Sequence, residues 1–101
     1  MPRSALVLLA PGFEEIEATC PIDLLRRAEV QVTVAAVGED LLVTGRSELT
    51  LHADCPLSEV SGQEFDLLVL PGGPAVFELR EQPRALDLIR RFHLEGRIIG
   101  A

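Results

Sequence analysis

An α/β fold on a mainly parallel sheet is what this sequence predicts, on three observations. Ala5 to Ala10 is apolar throughout, and Asp66-Leu67-Leu68-Val69-Leu70 is apolar after its first residue, as strands covered on both faces are. Both runs end in Pro-Gly turns, Pro11-Gly12 and Pro71-Gly72-Gly73-Pro74. Apolar spacing of helical period follows each turn, and strands alternating with helices imply parallel strands joined by crossovers.

The first run reads as the central strand. After Phe13 come Glu14, Glu15 and Glu17, then Ile16, Cys20, Leu24 and Ala28 at helical spacing, with Arg26 and Arg27 near the end. Pro21 lies inside this helix and predicts a kink near Glu17 or Ala18. Val30 to Val37 is a second, β-branched strand. Leu41 to Thr44 and Leu49 to His52 alternate around Gly45-Arg46-Ser47 and predict a small hairpin at an edge. Ala53 to Phe65 reads as a polar connection into the second buried strand. The next helix is predicted with Pro83 near its start, Ala85, Leu88, Ile89 and Phe92 as its apolar stripe, and Gly96 as its cap. Arg97 to Ala101 begins a further strand, without a turn, cap or polar tail after it. The expectation is therefore that residues 1–101 are the N-terminal portion of one domain.

Composition removes several classes of function. Sixteen acids against nine bases give a formal charge of −7, which disfavours phosphate backbones and so nucleic acid. All nine bases are Arg; with no Lys there is no Schiff-base chemistry, lysine-anchored pyridoxal or P-loop lysine. Cys20 and Cys55 form no CxxC pair, which points away from a zinc site or disulfide framework and towards a reducing cytoplasm. His52 and His93 have no second ligand at metal-binding spacing, so no metal is expected. The six-residue run Ala5 to Ala10 is too short for a signal core or a membrane span.

In an open parallel sheet, ligands bind at the carboxyl ends of the strands. There Gly72-Gly73 reads either as a tight turn into the next helix or as two amides free to approach an oxyanion. It lacks the spacing of a dinucleotide fingerprint. Glu14 and Glu15 read as carboxylates complementing the helix dipole. Glu17 has that reading too; turned into the crevice and desolvated, it becomes a proton-transfer group. Cys20 reads as a small core residue, and Cys55 as an exposed thiol without a base. Arg27 reads as complementing the helix end or pairing with Asp23, with anion binding the minority alternative.

The segments Ala5 to Glu17, Pro21 to Ala28 and Asp66 to Gly73, taken in order, resemble the ThiJ/PfpI superfamily, in the branch of the Parkinsonism-associated protein deglycase and bacterial YajL. Phe92-His93 through Gly96 to Ala101 resembles the lead-in to that family's nucleophile elbow. The resemblance implies a flavodoxin-like three-layer sandwich, usually a homodimer, with no cofactor. It implies a site made of an elbow cysteine downstream of Ala101, the glutamate matching Glu17, and the backbone of Gly72 and Gly73 as oxyanion hole. It also implies a glyoxalase or deglycase acting on methylglyoxal-type dicarbonyls or their protein adducts, assembled with the C-terminal fragment of the same protein. The alternatives are a redox-sensing or chaperone-like stress protein with an oxidisable elbow cysteine, and a related hydrolase of the superfamily. One departure is visible: many members of this branch carry Cys-Ser-Arg in the hairpin, where this sequence has Gly45-Arg46-Ser47.

Overall fold

The computed structural model describes residues 3–60 and 62–100. Its main sheet has five parallel strands in the order β5-β2-β1-β6-β7. Strand β1, Ser4–Leu9, is central, and Ala5 to Leu9 are at most 1% exposed, as the unbroken apolar run requires. It pairs along its length with β2, Gln31–Ala36, and through Ala5, Leu6 and Val7 with β6, Leu67–Val69. The fold is the α/β sandwich, with helices packed on a mainly parallel sheet.

Helix α1, Glu15–Arg27, runs uninterrupted through Pro21 and connects β1 to β2. Its inward face differs from the expected one. Ile16 and Leu24 are 73% and 59% exposed and Cys20 is exposed, whereas Glu15 and Ala18 are buried and Ile22 packs against the core. The inward stripe thus starts at a carboxylate, which obscures it in the apolar spacing.

The hairpin, β3 (Leu42–Thr44) and β4 (Thr50–His52), forms its own two-stranded sheet and does not extend an edge of the main one. It folds over the carboxyl end of β1, with Gly12 N–H donating to Thr44 O at 2.9 Å. The expected polar connection contains β5, Cys55–Pro56, and the single turn α2, Leu57–Val60.

Two helices follow β6 where one was expected: α3, Ala75–Arg80, and α4, Pro83–Leu94. Ala85, Leu88 and Phe92 are buried as their spacing predicts. Gly96 ends α4 at φ +69°, and Arg97 N–H returns to Phe92 O at 2.9 Å, a left-handed cap that glycine adopts without a Cβ clash. Strand β7, Ile98–Gly100, is an edge strand with Ile98 68% exposed. The expected strand also includes Ala101, which lies outside the described residues.

Candidate active site

The carboxyl ends of β1 and β6 lie side by side, and their turns meet. Glu14 N–H donates to Gly72 O at 2.9 Å, and Ala75 N–H donates to Gly12 O at 3.2 Å. Gly73 sits at φ +87°; a Cβ there would come within 3.0 Å of Gly12 O and 3.2 Å of Glu14 N, so only glycine lets the two turns close on each other.

This closure brings Glu17 and the glycine pair together. Gly72 N–H donates to Glu17 Oε1 at 2.8 Å. The carboxylate fills the space a side chain at Gly72 would take, since a Cβ there would lie 2.7 Å from Oε1. The two glycines therefore have separate duties: the Gly72 amide is held by Glu17, and the Gly73 N–H makes no hydrogen bond among the described residues. A free amide beside a positioned carboxylate is the arrangement needed to hold a developing oxyanion next to a proton carrier. Of the two readings the sequence allows for Glu17, the proton-transfer one requires a desolvated carboxylate; here Glu17 is exposed.

Two residues earlier on the same turn, Glu15 is only 4% exposed. Its Oε2 accepts from Ser47 N–H at 2.7 Å and Leu49 N–H at 3.3 Å, while Oε1 is buried without a partner among the described residues. Burial alone would raise this carboxyl. The N–H groups of Glu15 itself, Ser47 and Leu49, with the Arg46 guanidinium, outweigh that and hold it below its ordinary value. Glu15 also fills the space beside Gly45, where a Cβ would fall 2.5 Å from the carboxyl carbon and 2.8 Å from Phe13 O. In the sequence Glu15 reads only as a carboxylate complementing the helix dipole, and its burial is not expected. The available signal was its register with Ala18, Ile22 and Leu25 at positions 0, 3, 7 and 10.

Other candidates lie elsewhere. Arg27 pairs with Asp23 at 3.1 Å at the far end of α1, ten residues and so about 15 Å of helix from Glu17. Arg46 lies in the hairpin turn, its guanidinium 3.9 Å from the Glu14 carboxylate. Cys55 is half-buried in β5, and burial pushes its thiol up, with Glu59 and Asp54 adding to the effect. His52 and His93 are exposed, and no group of three or more metal-ligating side chains occurs among the described residues. A cleft of about 310 Å³ between α1, β2 and β4 excludes Glu17 and Gly72; two of its charged residues, Arg26 and Asp54, face each other at 3.7 Å. Among the described residues no helix is long and apolar enough to cross a membrane.

Comparison with known proteins gives a consistent result. The model of the DJ-1/PfpI family matches residues 3–101. Protein dj-1beta of Drosophila melanogaster is 38% identical over 102 residues, covering all of this chain and 54% of its own. Its crystal structure superposes with a TM-score of 0.95 over 98% of this chain and 54% of that one. A DJ-1 superfamily protein from Salmonella typhimurium, also 38% identical, superposes with a TM-score of 0.93 over 96% of this chain and 53% of that one. A deglycase from Pyrococcus abyssi is 32% identical over 96 residues, covering 95% of this chain and 57% of its own. The chain spans about half the length of the curated relatives it matches.

Proposed function

The chain belongs to the DJ-1/PfpI family, and from that premise we propose that it carries the proton-transfer half of a cofactor-independent glyoxalase or deglycase. The substrate class is methylglyoxal-type dicarbonyls or their protein adducts. The nucleophile is a cysteine supplied by a C-terminal segment of the same protein, which completes the domain beyond the open edge of β7. The completed domain pairs as a homodimer, and the exposed Ile16 and Leu24 on α1 support such a face. Both cysteines of this chain are free, which accords with a reducing cytoplasm.

The observation that carries the reading is the 2.8 Å bond from Gly72 N–H to Glu17 beside the free Gly73 N–H. In the proposed cycle the thiolate adds to the aldehyde carbon of methylglyoxal, and the resulting oxyanion takes up a proton, giving a hemithioacetal. Gly73 N–H stabilises the developing charge. Glu17 removes the proton from that carbon and returns one to the neighbouring carbon through an enediol, so the aldehyde is oxidised as the ketone is reduced. The thioester formed is hydrolysed to lactate, freeing the thiolate. The redox balance is internal to the substrate.

The test is lactate formation from methylglyoxal by the completed protein. Glu17→Gln is expected to lower turnover by about 10²-fold or more. Near-parental turnover removes Glu17 from the mechanism. If turnover is absent from the parent while mild peroxide adds two oxygen atoms to the cysteine, the protein is a redox sensor.

A further inference from the structure

The start of α1 lacks the usual anchor of a helix. Its N-cap residue, Glu14, makes no side-chain capping bond. What holds the helix start instead is a pair of attachments, to two different turns. At one, Glu14 N–H and the Glu17 carboxylate grip the O and N–H of Gly72. At the other, the Glu15 carboxylate accepts from Ser47 and Leu49 in the β3–β4 turn.

That turn is itself strained and docked. Glu48, between the two donors, sits at φ +70°, a left-handed conformation that costs a non-glycine residue about 1–2 kcal/mol. Glu15 accepts from the residues on both sides of it, so the same carboxylate holds the strained turn closed. Arg46 N–H donates to Phe13 O at 2.9 Å and Gly12 N–H donates to Thr44 O at 2.9 Å, which bind the turn to the loop between β1 and α1. Phe13 in that loop is fully buried and anchors it in the core. The first turn of α1 is therefore held between the hairpin and the β6–α3 turn, and Glu15 hydrogen-bonds to the hairpin backbone.

We propose that Glu15 is a positioning residue: by tying the start of α1 to the β3–β4 turn, it sets where Glu17 meets Gly72. Its importance for turnover rests on the reading of Glu17 given above. The geometric coupling does not, and it is measured on the 101-residue chain without substrate.

The experiment follows backbone amide chemical shifts by NMR as pH is varied. In the parent chain the Gly72 amide reports the ionisation of its acceptor Glu17, and the Ser47 amide reports Glu15. Glu14, with Arg46 at 3.9 Å, and Glu48 in the turn itself are further charged groups at this turn. Glu15→Ala is expected to reduce the amplitude of the Gly72 titration by half or more, because Glu17 no longer rests on that amide. Glu15→Gln keeps the volume and one acceptor oxygen; it is expected to retain an intermediate amplitude and answers the question if the alanine variant does not fold. Val60→Ala, a core truncation away from the site, is expected to leave the Gly72 amplitude unchanged, separating positioning from general destabilisation. A parental Gly72 amplitude in the folded Glu15 variants, with only the Ser47 and Leu49 amides displaced, would overturn the proposal. Absence of dicarbonyl turnover in the completed protein would sink the reading of Glu17 and leave this coupling standing.

Discussion

Glu15 and Glu17 stand two positions apart on the first turn of one helix, and each lays its carboxylate over a glycine of a neighbouring turn. Their surroundings are opposite. Glu15 is buried over Gly45, with two backbone donors and an oxygen left without a partner among the described residues; Glu17 is exposed over Gly72, with one donor. A carboxylate buried among fixed amides is favoured in its ionised form and held in its place, which suits an anchor. A carboxylate held by one bond at an open surface can be reached and covered by a substrate. Residue type alone does not separate these roles; the depth of the turn each carboxylate faces does.

The glycines give the most direct way to break this contrast. Gly45→Ala puts a Cβ 2.5 Å from the Glu15 carboxyl and 2.8 Å from the Phe13 carbonyl oxygen, and neither a buried side chain nor a paired backbone can easily retreat. We expect a loss of about 1–3 kcal/mol, read from the denaturant midpoint with an unchanged slope. A loss below about 0.5 kcal/mol would mean that Glu15 is as free to move as Glu17.

The next effect is in pH dependence. The folded Glu15 carboxyl lies below its ordinary value of 4.5, so the unfolded chain binds a proton there more readily than the folded one. The stability this adds is present in full above that value and is lost as pH falls through the folded one. Thermal midpoints measured downwards from about pH 6 should fall more steeply in the parent than in Glu15→Gln, with the divergence confined below about pH 4.5. Parallel curves would show that ionised Glu15 contributes nothing specific to the fold.

Much of this arrangement was legible in the sequence, for reasons visible in particular residues. Ala5 to Ala10 announced a central strand because both faces are covered and no polar residue interrupts it. Ala85, Leu88 and Phe92 announced the inward face of α4 because that face carries no charge. The same logic failed on α1, where the inward stripe opens with Glu15 and the apolar residues Ile16 and Leu24 point outwards. The short elements β5, α2 and α3 escaped notice because two to six residues show no periodicity, and tertiary packing decides them. At the site, Glu17 and the glycine pair were marked by their place at strand ends. The division of labour between the two amides was not, because it depends on a left-handed turn at Gly73 and on which N–H the carboxylate reaches.

Gly72→Ala is the smallest expected effect and sharpens the contrast most. Its Cβ would meet Glu17 Oε1 at 2.7 Å, but the three nearest heavy atoms all belong to that one exposed carboxylate group, and Gly72 does not adopt a positive φ. The side chain can swing into solvent, so stability should change by no more than about 0.5 kcal/mol. The bond to the amide at position 72 should nevertheless weaken, and the titration seen at that amide should shrink. Two glycine-to-alanine changes under two glutamates would then differ severalfold in cost, with the cheaper one falling at the proposed reactive group. A cost at Gly72 equal to that at Gly45 would mean that Glu17 is built into the fold as firmly as Glu15, and the division between anchor and proton carrier would have to be abandoned.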